Sequence, residues 1–293
     1  ACSVESVPVS VNDRTRFIYE AACCGLRDFF VKNGYKKACV GVSGGIDSAV
    51  VACLAVAALG AENVRGLMMP SQFSSEGSVE DAKQLAENLG IEFHVVPITE
   101  AYRSIVDTLI PVIGGTDFDA TEENIQSRIR TLMLMALQNK NGYVLLNCSN
   151  KSENALGICT LYGDTGGAFS VTGDLYKTEM YDLARYINRK FGAPIPENIL
   201  TKEPSSELRP NQKDSDMLPS YEVVDAILYR LIEDGQSREE IINAGFDSDE
   251  VQKIYAMVMR NEKKRFQYPP VLRLSSSSFG HEYRMPLTHK YVK

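Results

Sequence analysis

Apolar and polar positions along the chain repeat with two periods, and the alternation between them sets out a regular architecture. Spacing of three to four residues from Arg14 predicts a helix to Asn33, with Asp13 as its cap and Gly34 as its stop. Residues 1–13 ahead of it lack a pattern and read as a linker or N-terminal extension. Then Ala38-Cys39-Val40-Gly41-Val42 forms the centre of a buried strand over 36–42. The apolar run Ala49 to Leu59 continues as a buried helix over 47–59. The same alternation predicts strand 64–69 and helix 76–89, then strand 91–96 and helix 100–110. Strand 143–147, a helix near 151–157 and a helix near 176–191 follow. Repeated strand–helix units of this length imply an α/β fold with a doubly wound parallel sheet flanked by helices. Ligands of such sheets bind beyond the carboxyl ends of the strands.

Three segments interrupt this rhythm. Residues 121–141 carry Ile125, Ile129, Leu132, Met133, Met135, Ala136 and Leu137, an apolar face wide for a surface helix. It reads either as a core helix or as a subunit interface. Residues 194–219 carry four prolines and few large apolar side chains, and within them 203–219 is expected to be a lid loop. Residues 220–265 return to helical spacing (221–232, 238–243 and 249–264), and the tail 266–293 reads as irregular. No internal repeat is evident.

Composition narrows the class. With 293 residues, 44% hydrophobic and 24% charged, the chain can bury a sizeable core. A formal net charge of −7 argues against a dedicated nucleic-acid binder. No apolar run approaches the ~20 residues of a membrane span, and Val4 to Val11 is too short for a secretory core. The seven cysteines are odd in number, scattered, and mostly within apolar runs such as those of Cys39, Cys53 and Cys148, which suggests reduced thiols and a cytoplasmic setting. His94, His281 and His289 lie far apart, and His94 in strand 91–96 reads as structural. The start at Ala1-Cys2 suggests a fragment or a processed chain.

The chemistry gathers at "VGVSGGIDSAV", residues 40–50. Two consecutive glycines join the first strand to a helix N-terminus, where backbone N–H groups can converge on an anion. Ser43 and Ser48 add hydroxyls, and the helix adds the positive end of its dipole. Asp47 is the odd member: a carboxylate beside phosphates repels them unless a cation intervenes, which points to Mg²⁺. The GxxxxGK[ST] pattern of γ-phosphate-transferring NTPases is absent.

"SGGIDS" after a strand resembles the PP-loop ATP pyrophosphatases, whose adenine nucleotide alpha hydrolase-like fold accompanies cleavage of ATP between the α and β phosphates. Within that superfamily the chain resembles NAD synthetase, and in style the synthetase half of the glutamine-dependent enzymes. The resemblance is carried by "MPSQFSSEGSVEDAKQLAENLGI" (69–91), "ENIQSRIR" (123–130), "NCSNKSE" (147–153), "LYGD" (161–164), "PSSELRPNQKDSDMLPSYEVVDAIL" (204–228) and "KKRFQYPP" (263–270). It covers nearly all of 14–290. It implies that ATP adenylates the nicotinate carboxylate of deamido-NAD, releasing pyrophosphate, and that ammonia displaces AMP. It further implies ATP contacts at Ser43, Gly44, Gly45, Ile46, Asp47, Ser48, Cys148, Lys177 and Ser205. Mg²⁺ ligation would fall to Asp47 and Glu153, dinucleotide contacts to Asn124, Arg128, Glu153, Leu161 and Lys264, and assembly would be a homodimer. On local sequence alone, the alternative for Arg128 and Lys264 is an ordinary solvated helix charge.

The chain departs from the family pattern. Cys148 stands where the family has a threonine, a weaker donor to ATP. Leu161 and Ala168 replace the lysine and aspartate that flank the Gly-Asp segment of ammonia-only relatives. Only about 35 residues precede the first strand, too few for an amidase domain, so the chain reads either as the synthetase portion of a longer, glutamine-dependent protein whose glutaminase domain is absent from this sequence, which the non-Met start favours, or as an ammonia-only enzyme; ammonia is expected to be the donor for this chain. Two other readings stay open: another PP-loop ligase, such as a tRNA-modifying enzyme, and a catalytically silent nucleotide-binding subunit.

Overall fold

The computed structural model describes residues 11–114, 117–280 and 282–289. Five parallel strands form one sheet in the order β3-β2-β1-β4-β5: β1 is Lys37–Gly41, β2 Val64–Met68, β3 Glu92–Val95, β4 Tyr143–Asn147 and β5 Phe169–Ser170. The chain moves outward from β1 to β2 and β3, then crosses back to place β4 on the other side of β1. The reversal opens a crevice between the carboxyl ends of β1 and β4, the position where doubly wound sheets bind ligands.

Strand alternation fixes the two faces. Ala38, Val40, Val144, Leu146, Val64 and Met68 point into one apolar layer, and Cys39, Tyr143, Leu145 and Leu67 into the other. The first layer is covered by helices α1 (Val11–Asn33), α2 (Ile46–Leu59) and α3 (Glu76–Leu89), joined by α7 (Lys177–Phe191). Every residue of α2 from Ser48 to Ala55 is buried, so this helix is apolar all round and its amphipathicity is weak. The second face is covered by α4 (Thr99–Ile113) and α5 (Ala120–Asn141). A third apolar cluster joins α6 (Lys151–Leu156) to the C-terminal helices α9 (Tyr221–Ile232), α10 (Arg238–Asn243) and α11 (Ser248–Arg260). Among the described residues no helix is long and apolar enough to cross a membrane.

The structure corrects several boundaries. Helix α1 is already under way at Val11, so Asp13 lies in its first turn and is not its cap; residues 1–10 lie outside the described residues. Helix α4 runs through Pro111 to Ile113. The Pro-rich stretch 194–219 holds a short helix α8 (Glu197–Thr201), one turn of 3₁₀ helix at Asp214–Asp216, and otherwise irregular chain. The helix expected over 249–264 breaks at Asn261, whose side-chain amide donates to Leu156 O and Met257 O, both at 2.8 Å, before α12 (Glu262–Arg265). His94 lies on the strand at the sheet edge, but its ring is exposed and meets Glu92 at 2.9 Å.

The tail is irregular yet anchored. Val271 bridges to Ser170 beside β5. The fully buried Lys151 ammonium reaches Asp174 at 2.9 Å, Glu233, Ser275 Oγ at 2.7 Å and Ser277 O at 2.9 Å. A buried cation is tolerated only when paired and hydrogen-bonded in this way. Lys151 thereby fastens the tail and α9 to the first turn of α6.

Candidate active site

The glycine turn follows β1 directly. Gly44 has φ +80°, and a Cβ there would stand 2.2 Å from Ser78 O in the first turn of α3. Only glycine fits both demands. Ser43 and Ser48 lock the turn: Ser43 N donates to Ser48 Oγ (3.1 Å), Ser48 Oγ donates to Gly45 O (3.1 Å), and Gly45 N donates to Ser43 Oγ (3.2 Å). Gly44→Ala is therefore expected to destabilise the fold by roughly 1–3 kcal/mol and to weaken nucleotide binding, read by thermal melting and titration with ATP. A variant with wild-type melting and affinity would mean that the turn is not constrained.

Asp47 projects from the first turn of α2 into the crevice. Its Oδ2 accepts from Lys177 Nζ at 2.6 Å and its Oδ1 from Asn150 Nδ2 at 3.0 Å. Asn150 also caps α6, its Oδ1 accepting from Glu153 N at 3.0 Å while Asn150 N donates to Glu153 Oε2 at 3.4 Å. The other Glu153 oxygen lies 3.6 Å from Lys177 Nζ. One ammonium thus sits between two carboxylates, the three groups drawn from three helices. Burial, reinforced by the charge of Asp47, pushes the Glu153 carboxyl above the usual carboxylate range, while Lys177 opposes the shift. Burial works against the charged form of Lys177, but Asp47 and then Glu153 outweigh it and hold its pKa above the ordinary lysine value.

These groups line a cavity of about 310 Å³ that takes in Ser43, Gly45, Ile46, Ser48, Cys148, Ser78, Lys202 and Arg130. The Cys148 thiol lies 4.0 Å from Gly41 O, and burial, then Asp47, pushes its pKa up, so it is a neutral and weak donor. Ser205 lines the cavity, but its hydroxyl is engaged within its own loop, donating to Gln212 O at 2.5 Å. That loop lines the cavity from Glu203 to Leu208. Glu207, at φ +47°, accepts from Ser75 Oγ and Ser78 Oγ, both at 2.8 Å, and Leu208 O accepts from Gln126 Nε2 at 2.9 Å.

Of the residues expected at the dinucleotide, Glu153 lies in this cavity, whereas the other four gather around the loop that follows α6. Asn124 Oδ1 accepts from Thr160 Oγ1 at 2.6 Å, and Arg128 Nε donates to Leu161 O at 3.1 Å. Lys264 Nζ donates to Gly157 O and Cys159 O at 2.6 and 2.7 Å, completing the carboxyl end of α6 rather than entering the cavity. Leu161 lines a neighbouring depression with Tyr162, Gln267 and Tyr268, which meets the main cavity at Gly166. Sequence reasoning missed Asn150, Lys202, Arg130 and Asp164. Burial raises the Asp164 carboxyl to about 6, and Thr160 N donates to it at 2.5 Å. Asn150 and Asp164 lie inside motifs that were noted, but their partners are over 100 residues away or depend on loop geometry.

The donor set suits a hard divalent cation. Asp47 and Glu153 offer carboxylate oxygens on either side of one point, the pattern of a metal held by one or two carboxylates plus ligand phosphates. Among the described residues no three His, Cys, Asp or Glu side chains form a closed cage.

A protein-family model described as NAD synthase matches residues 18–268. A glutamine-dependent NAD(+) synthetase of Aquifex aeolicus is 52% identical over 94% of this chain and 48% of its own length. The chain spans about half the length of the curated relatives it matches. Among solved structures, a glutamine-dependent NAD+ synthetase of Acinetobacter baumannii in complex with ADP aligns with a TM-score of 0.64, at 40% identity over 97% of this chain and 51% of that one. An NH3-dependent NAD synthetase of Campylobacter jejuni aligns with a TM-score of 0.69, at 30% identity over 86% of this chain and 96% of that one.

Proposed function

Because the chain belongs to the NAD synthase family, we propose that residues 14–293 form its amide-ligase portion, converting deamido-NAD to NAD by ATP-dependent amidation. The observation that carries this reading is the meeting of Asp47, Glu153 and Lys177 beside the Gly44-Gly45 turn. The turn and the α2 N-terminus receive the phosphates of ATP. Asp47 and Glu153 would hold Mg²⁺, which would supply positive charge to the phosphates. Lys177 adds a fixed cation where charge develops as pyrophosphate leaves. Asn124, Arg128, Leu161 and Lys264 shape the loop that receives deamido-NAD, and Glu153 stands between the two halves. The carboxylate of deamido-NAD attacks the α-phosphorus, and ammonia then displaces AMP from the adenylate. The chain need supply only orientation and electrostatics.

Three buried cysteines fit ammonia as the donor. Burial pushes the thiols of Cys39, Cys53 and Cys159 up to about 12, so these three do not supply the thiolate that glutamine hydrolysis requires. Glutamine use by the longer relatives would then reside in the half that this chain does not span. The decisive assay supplies ATP, Mg²⁺ and deamido-NAD with either ammonium or glutamine. The expected outcome is NAD, AMP and pyrophosphate with ammonium, rising with pH toward the ammonia pKa, and none with glutamine. ADP and phosphate as main products would overturn the reading, and so would robust glutamine-dependent synthesis. Failure to make NAD despite AMP formation on another acceptor would favour a different ligase.

Two further features of this reading are testable. The 203–219 loop acts as a lid over the adenylate, so ATP plus deamido-NAD should slow its proteolysis several-fold; equal cleavage with and without ligands would count against it. The exposed Leu132 on α5 supports a homodimer through this helix. Light scattering should report a dimer that Leu132→Asp dissociates, and a wild-type monomer at micromolar concentration would refute it.

A further inference from the structure

Three cationic side chains line the main cavity: Lys177, Lys202 and Arg130. Two are already neutralised. Lys177 is held by Asp47 and Glu153, and Lys202 by Asp81 at 2.9 Å and Ser78 Oγ at 3.1 Å. Arg130 differs. Its Nε donates to Met69 O at 3.0 Å, just past β2, which fixes the guanidinium plane. Among the described residues no carboxylate lies within ion-pair distance of it, and no protein acceptor is engaged by its two terminal nitrogens. The acidic groups that act on it from a distance are Glu207 and Asp164. Glu207 is committed to Ser75 and Ser78, and Asp164 to the Thr160 amide. Burial lowers the Arg130 pKa to about 10 against the pull of those two charges, so the group remains a cation at neutral pH. Arg128, two residues earlier on α5, faces away and is exposed.

A half-buried cation with no close counter-ion is stabilised when a ligand supplies the anion. A guanidinium with its Nε anchored presents two parallel donors, the geometry that matches a pair of phosphate oxygens. We propose that Arg130 is a phosphate-binding residue of the nucleotide site, its terminal nitrogens engaging oxygens of the ATP phosphate chain. This rests on the reading that ATP occupies the cavity, and it adds a contact that neither the sequence motifs nor the fold assigned.

The test measures binding, not turnover. ATP and adenosine are titrated calorimetrically into the whole chain as wild type, Arg130→Gln and Arg130→Lys. Arg130→Gln is expected to weaken ATP binding by roughly ten- to a hundredfold and to leave adenosine binding unchanged, with Arg130→Lys in between. Unaltered ATP affinity overturns the proposal. An equal loss for adenosine and ATP also overturns it, since Arg130 would then act only through the Met69 carbonyl. Should the variants fail to fold, an arginine-selective dicarbonyl reagent applied to the wild type gives a second reading by mass spectrometry. ATP and pyrophosphate should protect Arg130 from it and adenosine should not; equal protection, or none, overturns the proposal. Wild type that binds no ATP overturns the functional reading as well, whereas wild type that binds ATP beside an unaffected Arg130→Gln overturns this proposal alone.

Discussion

Asp47→Asn lowers turnover by about a hundred- to a thousandfold, the loss that follows when one preorganised charge is removed from a phosphoryl-transfer site. Asparagine keeps the shape and can still accept from Asn150 or Lys177. It removes the charge that pairs with Lys177 at 2.6 Å and that would hold the metal against the phosphates. ATP affinity should fall less than turnover, because the Ser43–Ser48 turn and the α2 N-terminus are untouched. Steady-state rates with saturating ATP, Mg²⁺ and deamido-NAD, beside a melting curve, separate the two effects. Near-wild-type turnover in a folded variant would remove Asp47 from the mechanism.

Lys177→Met acts on both stability and activity. Lys177 is 4% exposed and lies between Asp47 and Glu153. Without it two carboxylates face one another with no cation, and breaking a buried pair in this way costs about 3–5 kcal/mol. Activity should fall by at least a hundredfold as well if Lys177 is the fixed cation proposed at the leaving group. Mg²⁺ provides the diagnostic. Any cation that binds the folded state raises its melting temperature, and with the internal ammonium removed the carboxylate pair should bind Mg²⁺ more tightly. The Mg²⁺-induced rise in melting temperature should therefore be larger in Lys177→Met than in wild type. A variant that melts like wild type and ignores Mg²⁺ would show that the three groups do not act as one electrostatic unit.

Local periodicity revealed most of the architecture because a strand buried on both faces and a helix with one apolar stripe are local patterns. Strands β1 to β4 and helices α2, α3, α5 and α7 appear within a few residues of their expected limits. What escaped lacked such a pattern. Strand β5 is two residues long, and α8 is five residues directly after Pro196. The break at Asn261 depends on carbonyls of Leu156 and Met257, and neither spacing nor propensity announces it. The site divides in the same way. Ser43, Gly44, Gly45, Asp47 and Ser48 form one contiguous turn and could be read together. The use of Lys264 on the end of α6, and the turning of Arg130 into the cavity while Arg128 stays outside, are decided by how helices pack. Two arginines two residues apart look alike in sequence but point to different sides of a helix.

The fastening of Lys151 to the C-terminal tail bears on the order in which the molecule is made. Lys151 meets Ser275 and Ser277 across 124 and 126 residues, and Asp47 meets Asn150 and Lys177 across 103 and 130. Contacts of such separation close late, because the entropy of the intervening chain must be overcome before they contribute. The sheet can gather from β1 to β4 while the chain is still emerging from the ribosome, yet the first turn of α6 gains its anchor only after Ser277 has emerged. Refolding followed by binding of a fluorescent ATP analogue should lag behind recovery of helical signal, and simultaneous recovery would contradict this order. A chain that has emerged only as far as the Gly44-Gly45 turn therefore still lacks the serines, more than two hundred residues further on, that anchor the first turn of α6.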